Sequence, residues 1–346
     1  MYRIIIDAMG GDYAPDEIIT GVLRACEADE DVFCLLVGDE SKILPLLSGA
    51  SLSTDRYDLF HTTEFITMDD PPREAIEYKK EASINIAAQL IAQNKGQALV
   101  SAGNTGATIL AASRFIPRMP GIERAALAAV FPAVKHTPED PGKTVMLDVG
   151  ATLHCTPNQL ISFAIMGMHY AREVLGIPDP RVGLLNIGEE DTKGHDVLVE
   201  THTRLRELPE IHFIGNVEGK DIMRGIADVI VTEGFVGNIV LKALEGLAEL
   251  AFEMGKRAWQ KNVLSKMGIA MLSPLLKKVK QRVDYTEYGG APILGFQQLV
   301  IKAHGRSNAK AVKNAILLAK KSLEHRMVPL IQNSIRDYYM RLLEKA

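Results

Sequence analysis

The chain is poor in cysteine: Cys26, Cys34 and Cys155 are the only three in 346 residues, and no Cys-x-x-Cys pair occurs. So sparse and odd a set excludes a disulfide scaffold and a cysteine-based zinc site, and it fits a reducing cytoplasm. Long apolar runs are also missing, since none reaches the roughly 18 to 20 residues that a membrane-spanning helix needs. The N-terminus lacks the basic, apolar and small-residue succession of a secretory signal, so export by that route is not expected. Charge of one sign is lacking too. With 39 basic and 43 acidic residues the net charge is -4, which excludes a global basic field and nucleic acid as the main partner. Walker A, G-x-G-x-x-G, G-x-S-x-G and H-E-x-x-H patterns are all absent, so nucleotide binding of the Rossmann type and covalent serine catalysis are not indicated. The histidines have no metal-ligand spacing, and neither a metal nor an organic cofactor is expected.

What is present is ordinary in bulk and distinctive in order. Hydrophobic residues make up 47% and charged residues 24% of the chain, enough for a large core. A short Ile/Val/Leu run, then Gly, Asp or Asn, then a helical stretch recurs: RIIIDAMGGD from Arg3, VFCLLVGDE from Val32, ALVSAGNTG from Ala98, VMLDVGA from Val145, RVGLLNIGEE from Arg181, HFIGNVEG from His212, DVIVTEGFVGN from Asp228 and LVIKAHGRSN from Leu299. Apolar runs without alternation read as strands covered on both faces, and intervening amphipathic helices supply the covers. The expected fold is α/β, a doubly wound and mostly parallel sheet in one unit spanning 1–346, with or without two lobes. Helices are expected from Ile18 to Ala28, Ala82 to Asn94, Ala107 to Arg118, Pro157 to Leu175, Ile239 to Gln260, Ala309 to His325, and from Met327 onward.

Residues 261–283 break the pattern. They are apolar and basic, contain Pro274 and no acidic residue, and carry Lys261, Lys266, Lys277, Lys278, Lys280 and Arg282. They read as a basic amphipathic helical insertion projecting from the body. Three uses stay open for it: a lipid surface, an acidic protein partner, or a contact with a second subunit.

In an open parallel sheet, ligands bind where loops leave the carboxyl ends of strands. Three such loops run toward helices: Ser101-Ala102-Gly103-Asn104-Thr105-Gly106, Glu233-Gly234-Phe235-Val236-Gly237-Asn238, and His304-Gly305-Arg306-Ser307-Asn308. Helix starts of this kind favour anions, and phosphate in particular. The plainer role, caps at Asn104, Asn238 and Asn308 with glycines for tight turns, stays open beside it. The first loop, with Asp7, Gly10 and Gly11, joins the set of strand ends. Cys155 reads as a buried structural thiol because no neighbouring cation activates it. His304 is a titrating group at a strand end, with packing equally open to it.

Taken in order, DAMGGDYAP, MDDPP, SAGNTGA, LDVGA, LLNIGEE with Lys193-Gly194, GNVEG, TEGFVGN, YGGAPILG and IKAHGRSNAKA resemble the bacterial acyl-carrier-protein:phosphate acyltransferase family of phospholipid synthesis. The resemblance runs from about Arg3 to about His325. It implies that acyl carrier protein and inorganic phosphate are the partners, that the chain is a homodimer, and that the fold is related to those of phosphotransacetylases and isopropylmalate-type dehydrogenases. It implies that Lys193 and Asn238 are catalytic. Phosphate contacts are then expected from Asp7, Gly10, Gly11, Gly103, Asn104, Thr105, Gly106, Gly237, His304 and Asn308. Tyr13, Ala125, Thr152 and Glu233 depart from the family pattern. An isopropylmalate-type dehydrogenase and a non-catalytic membrane-associated scaffold are the rival readings.

Overall fold

The computed structural model describes residues 1–49, 52–261, 265–273 and 289–345. In chain order these form β1 (Tyr2–Asp7), α1 (Asp16–Ala28), β2 (Val32–Gly38), α2 (Glu40–Ser48), β3 (Tyr57–His61), α3 (Pro72–Tyr78), α4 (Ser83–Ala92), β4 (Ala98–Ser101), α5 (Thr105–Phe115), β5 (Ala126–Pro132), β6 (Lys143–Leu147) and α6 (Pro157–Tyr170). There follow β7 (Val182–Asn186), α7 (Asp196–Arg206), β8 (Phe213–Glu218), β9 (Val229–Val231) and α8 (Gly234–Lys261). A helical stretch over 265–273, α9, precedes β10 (Ala291–Leu294), β11 (Leu299–Lys302), α10 (Ala309–Glu324) and α11 (Met327–Lys345).

All eleven strands join one sheet in the order β3-β2-β1-β4-β11-β10-β5-β6-β9-β7-β8. Neighbours from β3 to β11 are parallel, as are those from β6 to β8. Between these blocks β10 and β5 are antiparallel to each other and to their outer neighbours. Three successive reversals leave β6, β9, β7 and β8 running against β1, β4 and β11. The expected parallel sheet is therefore two parallel blocks whose carboxyl ends face opposite ends of one sheet.

Successive strand residues point to opposite faces, and both faces are covered. Ile4 and Ile6 enter one core with Val100, Ile301, Leu147 and Val231. Ile5 enters the other with Leu99, Val300, Met146 and Ile230. Two glycines set how closely helices approach the sheet and each other. A Cβ at Gly21 of α1 would lie 2.5 Å from Val312 Cβ of α10, and one at Gly167 of α6 would lie 2.5 Å from Val229 Cγ1.

α8 leaves this body. Residues 246–261 are all exposed, including Leu247, Leu250, Phe252, Met254 and Trp259. The departure thus begins about four helical turns before residue 261, where the insertion was expected to start. Within 261–283 the described part comprises Lys261 and α9, with Met267 and Met271 exposed; 262–264 and 274–283 lie outside the described residues. No described helix is long and apolar enough to cross a membrane.

Candidate active site

The first group of loops is built on one row of buried polar side chains. Pairing sets Asp7 of β1 opposite Ser101 of β4, and Ser101 opposite Lys302 of β11. All three are at least nine-tenths buried, at the carboxyl ends of adjacent parallel strands. Asp7 accepts hydrogen bonds from Ser83 Oγ at 2.6 Å and Ser101 Oγ at 2.7 Å. Burial pushes its carboxyl pKa up, while these hydroxyls, the Met9 N–H and the Lys302 charge pull it down. The carboxylate also explains the glycines above it. A Cβ at Gly10 would overlap Asp7 Oδ2 and lie 2.8 Å from the Gly103 nitrogen. Gly11, at a φ of +114°, packs between the carbonyls of Ala102 and Gly305, a conformation suited to glycine. Asp12 N–H then donates to the Gly305 carbonyl at 2.9 Å, tying the loops after β1 and β11 together.

Asn104 and Asn308 work as caps here. Asn104 Oδ1 accepts from Ala107 N–H at 3.1 Å, and its amide donates to the carbonyls of Met68 and Asp70. Asn308 Oδ1 accepts from Ala311 N–H at 3.0 Å. At the start of α5 this leaves the N–H groups of Thr105 and Gly106 without an acceptor inside the helix. His304 is exposed, with its Nδ1 accepting from Arg306 N–H at 3.2 Å. Its pKa is lowered by the protein around the ring, assisted by Lys302, Lys242 and Arg306 and opposed by Glu245.

Lys302 went unnoticed in the sequence. Its signal was small: a lysine closing the otherwise apolar run LVIK. Its ammonium donates to the Ala303 carbonyl and has no second protein acceptor among the described residues. Burial pushes its pKa down to about 7, with Lys242 acting the same way and Asp7 and Asp12 opposing.

The second group lies on the opposed block. Asp148, fully buried at the end of β6, accepts N–H bonds from Leu127 at 2.9 Å, Gly150 at 3.1 Å, Ala151 at 3.0 Å and Thr152 at 2.6 Å. Burial raises its pKa against those four donors. The start of α8 presses on this loop: Gly234 N–H donates to the Thr152 carbonyl at 2.9 Å. A Cβ at Gly237 would overlap the Asp148 carbonyl oxygen, and one at Gly234 would meet Asp148 Oδ2 at 2.5 Å. The helix expected from Ile239 therefore begins at Gly234, because its glycines admit backbone contact instead of forming a turn. Asn238 is thus no cap. It lies one turn inside α8, exposed beside Gly150, with its side-chain amide making no hydrogen bond to the protein among the described residues.

Glu233 connects three loops. One oxygen accepts from Cys155 N–H at 3.0 Å and the other lies 3.5 Å from His195 Nε2. That contact brings the loop after β7, with Lys193, alongside the start of α8. Lys193 is half-exposed, with Nζ 3.9 Å from Glu190 Oε1, while Asn186 Nδ2 donates to its carbonyl at 2.9 Å. No hydrogen bond joins Lys193 to Asn238 among the described residues; the link runs through His195 and Glu233. Cys155 is buried, and burial together with Asp148 and Glu233 pushes its thiol up to about 12, which keeps it protonated. Glu189 in the loop after β7, Glu218 at the end of β8 and Asp221 just beyond it converge, where Lys220 ion-pairs with Glu189 and Glu218.

α8 joins the two groups. Asn238 belongs to the second, and Lys242, one turn or about 6 Å further along the axis, acts electrostatically on Lys302 and His304 of the first. The arrangement offers helix-start N–H groups and a buried cation on one side, and an unpartnered amide and an exposed cation on the other. Such a set can hold an anion and stabilise a developing oxyanion without a side-chain nucleophile.

The family model described as "Fatty acid synthesis protein" matches residues 2–329. A "Phosphate acyltransferase" of Pelotomaculum thermopropionicum is 46% identical over 97% of this chain and 95% of its own length. One of Bacillus subtilis is 42% identical over 97% and 98%. Among solved structures, a phosphotransacetylase from Streptococcus pyogenes aligns with a TM-score of 0.61 at 16% identity, covering 93% of this chain and 94% of that one. A branched-chain phosphotransacylase from Enterococcus faecalis V583 gives 0.55 at 17%, covering 93% and 99%.

Proposed function

Because the chain belongs to the fatty acid synthesis protein family, we propose that it is a phosphate acyltransferase, converting acyl-acyl carrier protein and inorganic phosphate to acyl phosphate and free carrier protein. The observation that carries this reading is near full-length identity of 42–46% to relatives named for phosphate acyl transfer. The same relatives favour it over a dehydrogenase and over a scaffold without turnover. The fold is that of the phosphotransacetylases, and likeness at that distance is evidence of fold alone.

A phosphate oxygen attacks the thioester carbon, the carbonyl electrons move to oxygen, and the tetrahedral intermediate collapses by breaking the carbon–sulfur bond. The thiolate, the stronger base, then takes the proton that hydrogen phosphate brought and the acyl phosphate releases. Phosphate is already nucleophilic at neutral pH, so the protein must mainly position it and stabilise charge. On this reading the loops after β1, β4 and β11 hold phosphate, Asn238 donates to the oxyanion, and Lys193 offsets charge on phosphate or on the departing sulfur. Asp148 takes no part in bond making and fixes the loop beside Asn238.

The same reading includes a cytoplasmic homodimer in peripheral contact with a membrane. The exposed apolar side chains along α8 and α9 support it, as a surface for a second subunit or for lipid. The deciding experiment is incubation with acyl-acyl carrier protein and phosphate, trapping product with hydroxylamine. Phosphate-dependent hydroxamate is expected; hydroxamate formation indifferent to phosphate overturns the assignment.

A further inference from the structure

We propose that Lys302 is a phosphate-binding residue, its ammonium group holding an oxygen of inorganic phosphate where the loops after β1, β4 and β11 meet. The inference rests on the reading of this site as one that takes phosphate.

Three observations carry it. First, Lys302 is 4% exposed at the end of a strand whose other residues are Leu299, Val300 and Ile301. Packing alone would favour an apolar side chain there, since burying an ammonium is strongly unfavourable unless its donors are matched. Second, they are not matched. Of three N–H donors, one goes to the Ala303 carbonyl and no other finds a protein acceptor among the described residues. Asp7 and Asp12 act on the charge from a distance without closing an ion pair, and both Asp7 oxygens already accept serine hydroxyls. Third, the location suits an anion. Lys302 is in register with Ser101, three residues before Asn104, the cap of α5. The open N–H groups of Thr105 and Gly106 offer an anion the donors that a helix start provides.

The charged and titratable groups around Nζ are Asp7 on β1, Asp12 in the loop after it, Lys242 on α8 and His304 beyond β11. In the free protein the buried lysine is poised near neutrality. An anion favours the ammonium form, so phosphate taken up above pH 7 brings a proton with it. Lys242, one turn of α8 beyond Asn238, acts electrostatically on this lysine, so the helix that carries the amide also borders the phosphate site.

The test compares wild type with Lys302→Met and Lys302→Gln, measuring calorimetric binding of inorganic phosphate alone and hydroxamate formation with both substrates varied. The expected result is phosphate binding weaker by about ten- to a hundredfold, a matching rise in KM for phosphate, and little change in KM for the acyl thioester. Lys302→Met should keep or raise the thermal midpoint, because methionine fills the space without a buried charge. Folded variants that bind phosphate as wild type does overturn the proposal. A wild type that binds phosphate but makes no acyl phosphate refutes the reaction instead, and the calorimetric comparison still decides Lys302. Should neither variant fold, wild-type phosphate titrations at pH 8.5 in two buffers of different ionisation enthalpy report proton uptake. About one proton is expected, and none overturns the proposal.

Discussion

Asn238 and the two capping asparagines show how far one residue type can diverge in role. Asn104 and Asn308 place their oxygens on the N–H groups of Ala107 and Ala311, whereas the Asn238 amide is exposed and unclaimed beside Gly150. Replacing Asn238 by Ala is expected to lower kcat about a hundred- to a thousandfold, with the thermal midpoint nearly unchanged. Steady-state hydroxamate assays and thermal unfolding check both halves. Lys193→Ala should lower turnover by about a hundredfold, and near-normal rates would remove that lysine from the chemistry. Cys155 is the contrasting residue: protonated and buried, it should resist iodoacetamide at pH 8 in the native state. Cys155→Ala should retain most activity, and rapid alkylation with loss of turnover would contradict this.

At the scale of elements, two contacts deserve separate tests. The approach of α8 to the loop after β6 depends on Gly237, whose Cβ would overlap the Asp148 carbonyl. Gly237→Ala must shift the helix start, and a destabilisation of about 1–3 kcal/mol is expected, accompanied by lower turnover because Asn238 moves with it. Denaturant unfolding and the hydroxamate assay read the two effects. On the opposite core, His169 of α6 contacts Ser334 Oγ of α11 at 2.7 Å, and burial pushes its pKa down to about 4. The unfolded chain titrates near 6.5, so it binds the proton that the folded chain refuses. Stability is therefore fully present above pH 6.5 and declines as pH falls toward 4, by up to about 3 kcal/mol from this group. Unfolding free energies of His169→Gln and wild type from pH 7 to 4 should show a shallower decline in the variant.

For the whole molecule, the sheet and α8 decide what faces what. Opposed parallel blocks separate the loops into two groups, and the first turns of α8 connect them before the helix runs out into solvent. Its exposed Leu247 and Leu250 lie beyond the site, so aspartate at both should leave turnover on soluble substrate close to wild type. On the reading of α8 as a lipid-contacting surface, the same change should reduce sedimentation with anionic vesicles severalfold. Equal sedimentation by both proteins would exclude this face from membrane contact.

The eight strand-and-turn segments read from the sequence correspond to β1, β2, β4, β6, β7, β8, β9 and β11, because strands buried on both faces must be continuously apolar. The missed strands were β3, β5 and β10. β5 is alanine-rich, β10 contains Pro292, and β3 is a partly exposed edge, so local composition did not mark them. Their omission mattered, since β5 and β10 make the reversals that set the two blocks against each other. Resemblance brought Lys193 and Asn238 forward from the sequence, yet it did not show that Asn238 lies inside a helix or that Glu233 and His195 join its loop to that of Lys193. The sequence by itself determined the α/β class, the strand-end loops and the family, because these depend on local pattern and motif order. Tertiary structure alone decided the buried row Asp7, Ser101 and Lys302 and the bridging position of α8, because register between distant strands and the desolvation of a charge exist only once the chain is packed.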